Sequence, residues 1–434
     1  MKTETKQRIE QIRRGEVPEG YKQAGQNIIP KTWKRLSFEQ VATVRSGLVS
    51  PKTEPYSSML HIGPENIEKD TGKIENVRSA SELGLISGKF YFDSSSIVYS
   101  KIRPNLNKVC VPDFDGICSA DCYSIKARDN VDKNYLFALM LSHQFYKRAV
   151  ACSMRTGVPK INQDDLNAIC LVFPDNLEEQ KKIAAILTTQ DRVIELKEKR
   201  LAEKQRQKKY LMQQLLTGKQ RLPGFSGQWE IKGFNQVFTF GATNTFSREC
   251  MCEDSTGVKN IHYGDILIRY GEVLKLSEQE IPSLLSDIGA KITTFVDDGD
   301  VVIADTAEDL TAGKVVEVQE THGKKVAAGL HTMLCKPIKG CFVPGWLGYY
   351  MNSETYHKQL VPYIAGVKVM SISKGNIVKT HILVPPIEEQ TAIVKVFSTA
   401  DHEIELLRQD IEQEKQKKKA LMQLLLTGIV RVKV

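Results

Sequence analysis

The chain has 434 residues and a formal net charge of +8, from 60 Lys and Arg residues against 52 Asp and Glu residues. Its length is too great for one ordinary core and predicts about two to four domains, and the mild basic excess is compatible with a polyanionic partner. No stretch approaches the roughly 18 apolar residues that cross a bilayer, and the N-terminus has no apolar signal segment, so we expect a cytoplasmic protein without a membrane partner.

The N-terminal segment, residues 1–24, echoes a stretch in the middle of the chain. The sequence "RRGEVPEGY" at 13–21 is similar to "LTGKQRLPGF" at 216–225, which follows a predicted helix. We therefore expect residues 1–21 to lie beside the C-terminal helix and to complete it. Chance similarity of a short segment rich in Gly and Pro is the alternative.

Two α/β modules are predicted, at residues 25–173 and 222–384. Each contains short strand-like runs separated by turns, such as "SSIVYSKI" in the first and "DILIRY" in the second. Each also has a predicted helix near its end, at 133–149 and 344–360. The two modules align poorly with each other, so we expect their surfaces to differ.

The remaining segments, 174–221 and 385–434, are two copies of one sequence pattern. The stretch "EEQKKIAAILTTQDRVIEL" matches "EEQTAIVKVFSTADHEIEL", and "LMQQLLTG" matches "LMQLLLTG", each pair 210 positions apart. Acidic residues at the start of each copy suit a helix N-terminus, and Gly218 and Gly428 suit a helix end. The sequence therefore predicts that one helical unit occurs twice, between different modules.

A break is predicted inside each helical copy. The pairs Thr188-x-x-Asp191 and Ser398-x-x-Asp401 fit the capping pattern of a hydroxyl followed three residues later by a carboxylate. They predict a short helix that gives way to a longer one, which in the first copy covers about 189–217 and is about 43 Å long.

An apolar residue recurs at seven-residue intervals along each copy, in the same register, and Lys208 and Lys418 interrupt the repeat at the same point of each copy. A strip this narrow suits pairing with one other helix. We therefore expect the copies to pair as an antiparallel coiled coil, which makes the chain a pseudo-twofold internal repeat. For the lysine-rich middles taken alone, a solvated helix face is the simpler interpretation. The predicted seam residues are Leu187, Ile194, Leu201 and Leu215 in the first copy and Phe397, Ile404, Ile411 and Leu425 in the second.

This alternation of modules with repeated helices, together with the "EEQ" and "LMQQLLTG" motifs and the "LPGF" that follows, resembles the specificity subunit of Type I restriction-modification systems. The resemblance covers essentially the whole chain. It implies that each module is a target recognition domain that reads one half of a split DNA sequence, while the helices are the conserved regions that set the spacing. It also implies two methyltransferase subunits as partners, and restriction subunits in the full complex.

The resemblance points to basic and polar residues in loops of each module as DNA contacts, because loops read bases and Lys and Arg meet phosphates. An ordinary solvated side chain is the equal alternative at each position. The candidates are Lys101, Arg103, Asn105, Lys108, Arg155 and Lys160 in the first module and Thr306, Lys314 and Lys368 in the second.

No catalytic motif accompanies this pattern. The sequence lacks an N-P-P-[FY] or D-P-P-[FY] tetrapeptide, a glycine-rich loop for S-adenosylmethionine and a G-x-x-x-x-G-K-[ST] loop. We therefore expect a non-catalytic chain, and the resemblance implies that S-adenosylmethionine, ATP and Mg are bound by partner subunits. No metal site is predicted, although the close pair Cys250 and Cys252, among nine scattered cysteines, leaves a metal contact open.

Three other interpretations stay open at this point. The chain is also compatible with the DNA-recognition subunit of another restriction or defence system, or with a coiled-coil scaffold whose modules bind protein. An enzyme with an unfamiliar active site is the third. Association with an adenine methyltransferase would distinguish a Type I specificity subunit from these three alternatives.

Overall fold

The structure is a computed structural model that describes residues 3–153, 158–253 and 257–433. The chain divides into two compact units, residues 1–198 with 409–434, and residues 199–408. Each unit contains one module, the first part of one long helix and the last part of the other. Within the described ranges, no helix combines the length and the apolar character that crossing a membrane requires.

The first unit starts with α1 (Thr3–Arg13) and contains thirteen described strands. The strands are β1 (Tyr21–Ala24), β2 (Asn27–Pro30), β3 (Trp33–Ser37), β4 (Ala42–Val44), β5 (Leu48–Val49), β6 (Leu60–Ile62), β7 (Arg78–Ser79), β8 (Lys89–Phe92), β9 (Ser96–Ser100), β10 (Val109–Cys110), β11 (Gly116–Cys118), β12 (Cys122–Ala127) and β13 (Cys170–Pro174). The short helices are α2 (Phe38–Val41), α3 (Lys133–Leu141), α4 (His143–Cys152) and α5 (Gln163–Ala168). They precede the long helix α6 (Leu177–Leu215).

The second unit repeats this plan after α6. Its strands are β14 (Glu230–Gly233), β15 (Phe238–Gly241), β16 (Met251–Cys252), β17 (Lys259–Ile261), β18 (Val273–Lys275), β19 (Ser283–Leu284), β20 (Val301–Ala304), β21 (Thr306–Ala307), β22 (Val315–Gln319), β23 (Val326–Ala328), β24 (Thr332–Pro337), β25 (Met370–Ser371) and β26 (His381–Val384). Its short helices are α7 (Phe234–Val237), α8 (Tyr263–Ile268), α9 (Ser286–Gly289), α10 (Trp346–Met351), α11 (Glu354–Leu360) and α12 (Lys374–Ile377). The long helix α13 (Ile387–Leu425) follows.

Each module is built from two main sheets. The first has the strand orders β10-β9-β12-β4 and β5-β8-β11-β6-β7, and the second has β15-β24-β20-β22-β18 and β16-β19-β17-β23. The equivalent strand pairs β9 with β12 and β20 with β24 are antiparallel, while β6 with β11 and β17 with β23 are parallel. The modules therefore share a framework that their sequences conceal.

Two local predictions were wrong. Residues 133–149 and 344–360 each form two helices rather than one, because Ser142 and Ser353 adopt extended backbone angles and cap the second helix with their hydroxyls. The run "DILIRY" lies in and just after α8 rather than in a strand. Its apolar residues Ile266 and Tyr270 are four apart and buried, while Ile268 is exposed, which is the burial pattern of a helix.

The long helices α6 and α13 are each uninterrupted over 39 residues, or about 58 Å at 1.5 Å per residue. The predicted break after ten residues is therefore wrong. The supposed cap Ser398 donates its hydroxyl to the carbonyl of Lys395, three residues earlier, at 3.2 Å. Thr189, next to the supposed cap Thr188, donates to the carbonyl of Ala185, four residues earlier, at 2.7 Å. Such back-bonding satisfies a hydroxyl inside a helix without ending it.

The carboxylates of the supposed caps have partners on the other long helix instead. In the first unit Lys418 Nζ lies 2.6 Å from Asp191 Oδ1, and in the second Lys208 Nζ lies 2.6 Å from Asp401 Oδ1. Early residues of each helix thus meet late residues of the other, so the pairing is antiparallel in both units. These ion pairs also explain why a lysine interrupts the apolar seam at the same point of each copy.

The apolar seam is buried along most of its length. Of the predicted seam residues only Leu201 is half-buried, and the others are buried. The seam ends join the module cores: Leu187 and Leu425 belong to the first core, and Leu215 and Phe397 to the second. The pairing is therefore continuous with the packing of each module.

The repeated Glu-Glu-Gln motif fastens each module to both long helices. Its second glutamate is buried, accepts a hydrogen bond from a Trp indole at the start of the module, and forms a two-point ion pair with an Arg that follows the other long helix. We call each set a clamp. The first clamp is Glu179, Trp33 and Arg431, and the second is Glu389, Trp229 and Arg221.

The N-terminal segment contacts the residues that follow α13. The Tyr21 hydroxyl donates to the carbonyl of Gly428 at 2.9 Å, and Arg8 Nη1 donates to the carbonyl of Ile429 at 3.3 Å. The residues after α13 therefore bond both to the N-terminal segment and, through the first clamp, to the start of α6.

Candidate nucleic-acid interface

Two loop pairs, one in each module, contain most of the predicted DNA contacts. We call them the first corner, residues 101–108 with 158–161, and the second corner, residues 305–314 with 365–372. In the first corner the amide of Ile161 donates to the carbonyl of Lys101 at 2.9 Å. In the second, the amide of Ile372 donates to the carbonyl of Asp305 at 2.9 Å.

A second pair of matching backbone bonds connects the first corner to the residue before β12 and the second corner to the residue before β24. The amide of Lys101 donates to Asp121 at 2.9 Å, and the amide of Asp305 donates to His331 at 3.1 Å. Lys101 and Asp305 are thus equivalent positions, as are Asp121 and His331. At both positions the modules present different charge or chemistry on the same backbone.

The first corner presents three exposed polar side chains, Arg103, Asn105 and Lys160. Arg103 is held in the left-handed region at φ 48°, and its amide donates to the carbonyl of Pro159 at 2.7 Å. This bond, together with the bridge between Ile102 and Lys160, holds the loop against the 158–161 segment, so Arg103 and Lys160 lie in adjacent segments of the fold. The arrangement can offer two cations to a polyanion.

Lys101 is less available than its neighbours. Its ammonium group lies 5.2 Å from the centre of the Tyr123 ring and 5.8 Å from that of Phe90, which is cation–π geometry. Burial, and secondly the charge of Lys160, lower the pKa of Lys101. It can add positive potential to the first corner while packing against the module.

Lys108 and Lys314 are equivalent and point into their modules. Lys108 Nζ donates to the carbonyl of Pro64 at 2.6 Å, and Lys314 Nζ donates to the carbonyl of Leu267 at 3.0 Å. Burial lowers the pKa of Lys314. These bonds favour a structural role for both lysines, so we leave them out of the interface.

The remaining candidates have different surroundings. Thr306 lies in β21, where its hydroxyl donates to Asp305 Oδ1 at 2.7 Å and lies 3.4 Å from His331 Nδ1. Lys368 is exposed in a loop between paired residues Ala365 and Ser371. Arg155 lies outside the described residues.

Sequence reasoning missed a cationic cluster beside the second corner. Arg248 Nη2 lies 3.0 Å and Arg269 Nη1 3.8 Å from the same atom, Oδ1 of the buried Asp265. No local sequence pattern predicts this cluster. Arg248 precedes β16 and Arg269 follows α8, so the two residues come together only in the folded chain.

An aromatic contact joins this cluster to the second corner. The ring of Tyr263, in α8, lies 5.3 Å from that of His331 in an edge-to-face arrangement. Burial and the charge of Arg248 lower the pKa of the neighbouring His262, so that ring stays neutral, and its Nδ1 accepts from the amide of Gly264 at 3.2 Å. The helix that carries Asp265 is thus held in place by a neutral cap.

The described ranges contain no group of three or more His, Cys, Asp and Glu side chains that could hold a metal ion. Cys250 and Cys252 are half-buried free thiols.

Comparison with known proteins gives a consistent result. The family described as "Type I restriction modification DNA specificity domain" matches residues 30–206 and 226–416. Over 178 residues the chain is 39% identical to the EcoDI specificity subunit of a Type I restriction enzyme from Escherichia coli, a match that spans 41% of this chain and 37% of that protein. Over 339 residues it is 26% identical to the MjaVIII specificity subunit of a Type I restriction enzyme from Methanocaldococcus jannaschii, spanning 73% of this chain and 75% of that protein.

A solved structure has a similar fold. It comes from a study of complex assembly and conformational transition of the type I R-M system, and the superposition has a TM-score of 0.61 at 19% sequence identity. The match covers 93% of this chain and 99% of the solved chain. At this level of identity the similarity concerns the fold.

Proposed function

The chain belongs to the family of Type I restriction modification DNA specificity domains, and from this we propose that it is the DNA-specificity subunit of a Type I restriction-modification complex. Each module reads one half of a bipartite double-stranded DNA target. The observation that carries the proposal is the contrast between constant and variable parts. The clamps repeat residue for residue and the helix seams repeat position for position, whereas equivalent corner positions differ, as Lys101 and Asp305 do.

The corners are the parts of the modules that we propose to contact DNA. Arg103 and Lys160 are exposed in adjacent segments of the first module, and Lys368 is exposed in the second. Cations of this kind neutralise phosphates, while Asn105 and Thr306 have the hydrogen-bonding groups that read base edges. The differences between corners give each module its own half-site.

The long helices serve as the spacer in this proposal. Each runs unbroken through 39 residues, and each is tied to the modules by a clamp and a buried seam. In this proposal the length of the helices sets the number of base pairs between the half-sites, because a change in that length leaves both corners as they are.

Two methyltransferase subunits are the proposed partners on the helices, with restriction subunits joining the full complex. Leu196 and Leu406 occupy the same position of the two helix copies, and each is 50% exposed. A repeated apolar position on two solvent faces suits a partner that binds twice. S-adenosylmethionine, ATP and Mg belong to those partner subunits, and the chain itself is non-catalytic.

The proposal is tested by purifying the tagged chain from its own cells with the subunits that accompany it and mapping methylated adenines in the genome. We expect an adenine methyltransferase at two copies per chain, and a methylated bipartite sequence that disappears when the gene is deleted. If no methyltransferase accompanies the chain, or the methylation pattern survives deletion, the chain serves another defence system or acts as a scaffold.

A module exchange tests the assignment of half-sites. Replacing residues 222–384 with the corresponding module of a relative leaves the first corner and the sequence of both long helices unchanged. We expect only one half of the methylated sequence to change. A change in both halves would contradict independent reading by the two modules.

A further inference from the structure

The second module holds two arginines on one buried carboxylate. Asp265 is 2% exposed, and its Oδ1 is the shared partner of Arg248 and Arg269. The other oxygen, Oδ2, is buried and accepts no hydrogen bond from the described part of the chain. A buried charge with so few partners is costly unless cations stay beside it, so the carboxylate restricts where both guanidinium groups lie.

Both arginines still face solvent. Their side chains are 54% and 50% exposed, and a guanidinium group has five N–H donors. Contact with a single oxygen atom leaves most of those donors available to a ligand. The pair is therefore held on one side and open on the other.

The described part of the first module has no counterpart to this pair. Asn66 follows β6 at the position where Asp265 follows β17, because β6 and β17 occupy equivalent places in their sheets. The amide of Asn66 is used by the backbone: it accepts from Gly63 and donates to the carbonyls of Glu75 and Asn76. The framework therefore does not require a carboxylate here, and Asp265 with its arginines is particular to the second module.

We propose that Arg248 and Arg269 are base-reading residues and that the half-site of the second module contains a guanine recognised by one or both of them. This inference rests on the proposed function and adds the base chemistry of one half-site. Arginine recognises guanine by donating two parallel bonds to O6 and N7 in the major groove, the commonest specific contact between a side chain and a base. Asp265 is the positioning residue, since a fixed guanidinium loses less freedom when it forms that fork.

The competing role for the arginines is phosphate contact, and Arg→Lys substitution separates the two. Lysine keeps the charge, the ion pair with Asp265 and the attraction to phosphate, but it cannot form the planar fork. We therefore compare Arg248→Lys, Arg269→Lys and the double variant with Arg206→Lys, an exposed arginine on α6 that pairs with Glu203. Each variant is purified with its accompanying subunits and used to select sequences from a random library of duplex DNA.

We expect at least one of the single variants, and the double variant, to lose preference for guanine at one position of one half-site by about 5- to 150-fold, with the other half-site and the salt dependence of binding unchanged. Arg206→Lys should select the wild-type sequence. Melting temperatures of the free proteins confirm that each variant is folded. Unchanged guanine preference in the folded double variant would overturn the inference and leave the proposed function intact.

A second measurement does not depend on the variants. The half-site that changes when residues 222–384 are exchanged belongs to the second module, and in the wild type it must contain a G·C pair. A half-site made only of A·T pairs would overturn the inference. If the wild-type complex selects no bipartite sequence at all, the proposed function fails instead.

Discussion

The two corners have the same backbone and opposite chemistry. Lys101 and Asp305 receive the same hydrogen bond from the 158–161 and 365–372 segments, yet one is a cation and the other a carboxylate. The two clamps behave in the opposite way, since Trp, Glu and Arg recur in both with the same bonds. Within one chain, positions that hold the framework repeat, and positions that face outward beside it differ.

This contrast explains how one fold accommodates two surfaces. Lys108 and Lys314 keep the same inward bonds in both modules, whereas their neighbours in the same loops have changed. The charge of a corner lysine therefore does not by itself predict contact with DNA. Whether its ammonium group is already bonded inside the module decides between a structural and a binding role. If framework positions and outward positions differ in this way, substitutions in the clamps and the seam should alter stability, and substitutions in the corners should alter DNA binding.

The largest effect is expected at the clamps. Arg431→Ala leaves buried Glu179 without its cation, and Arg221→Ala does the same to Glu389, whose side chain is fully buried. Loss of one partner of a buried ion pair costs about 3–5 kcal/mol, so each variant should unfold at clearly lower denaturant concentration. Because the clamps are equivalent, the two losses should be similar.

Arg206→Ala is the matched control for the clamps. Its guanidinium pairs with Glu203 on the same helix, and its side chain is 76% exposed, so we expect a change within about 0.5 kcal/mol. A clamp variant as mild as this control would mean that the repeated glutamates do not hold the modules to the helices.

The next largest effect is expected in the seam. Ile404 is 6% exposed and lies between the paired helices, so Ile404→Ala should lower the free energy of unfolding by about 2–3 kcal/mol. Leu406→Ala, two positions later on the same helix and 50% exposed, should change it by less than about 0.5 kcal/mol. Chemical denaturation of both variants decides between a buried seam and a solvated helix face.

Leu406→Ala has a second use. In the proposed complex it removes part of a surface for a methyltransferase subunit without disturbing the fold. We expect less methyltransferase to co-purify with this variant than with the wild type. Normal recovery of the partner would place its docking surface elsewhere on the helices.

The sequence predicted the architecture well because the repeat is explicit. Two copies of one helix in the same register leave little choice but to pair, and the strips of leucine and isoleucine predicted which face does so. It failed at Thr188 and Ser398, because a capping pattern and an interhelical ion pair use the same residue types. Asp191 looked like a cap, and only the other helix, with Lys418, shows what it bonds.

The interface was harder to predict than the helices for a physical reason. Arg103 and Lys160, which lie in adjacent segments, were both among the candidates because they lie in basic loops. Arg248 and Arg269 were missed because their common partner, Asp265, lies in a run that reads as a strand and folds as a helix. Contacts between distant segments leave no local pattern in the sequence.

In the first corner we expect effects on DNA binding rather than on stability. Arg103→Ala and Lys160→Ala remove exposed cations, so each should weaken DNA binding at every sequence and reduce the slope of log affinity against log salt by about one. Lys108→Met removes an inward bond to Pro64 and should instead cost about 1 kcal/mol of stability. If Lys108→Met altered the salt slope and Arg103→Ala did not, the roles assigned to these residues would be reversed.

The smallest effect is expected from acid, at a point where the two helix copies differ. Glu414 and Lys204 are equivalent positions, 210 residues apart, and Glu414 accepts hydrogen bonds from Gln190 at 2.6 Å and from Lys197 at 2.9 Å. These bonds, with one from Lys417, lower the pKa of Glu414 to about 2. A carboxylate with a depressed pKa stabilises the folded state above its unfolded pKa of about 4.3, and that contribution is lost as pH falls toward the folded value.

The wild type should therefore melt slightly above Glu414→Gln at pH 7, and the difference should shrink between about pH 4.5 and pH 2. Lys197 also pairs with Asp410. The double variant Lys197→Met, Glu414→Gln therefore distinguishes the contribution of the Lys197–Glu414 pair from that of the Lys197–Asp410 pair. Because the bond from Gln190 is the largest cause of the lowered pKa of Glu414 and remains in the Lys197→Met background, Glu414→Gln should still lower the melting temperature there at pH 7, by less than in the wild type. A melting difference that grows as the pH falls has the wrong sign for a depressed pKa and would exclude these bonds as a source of helix pairing.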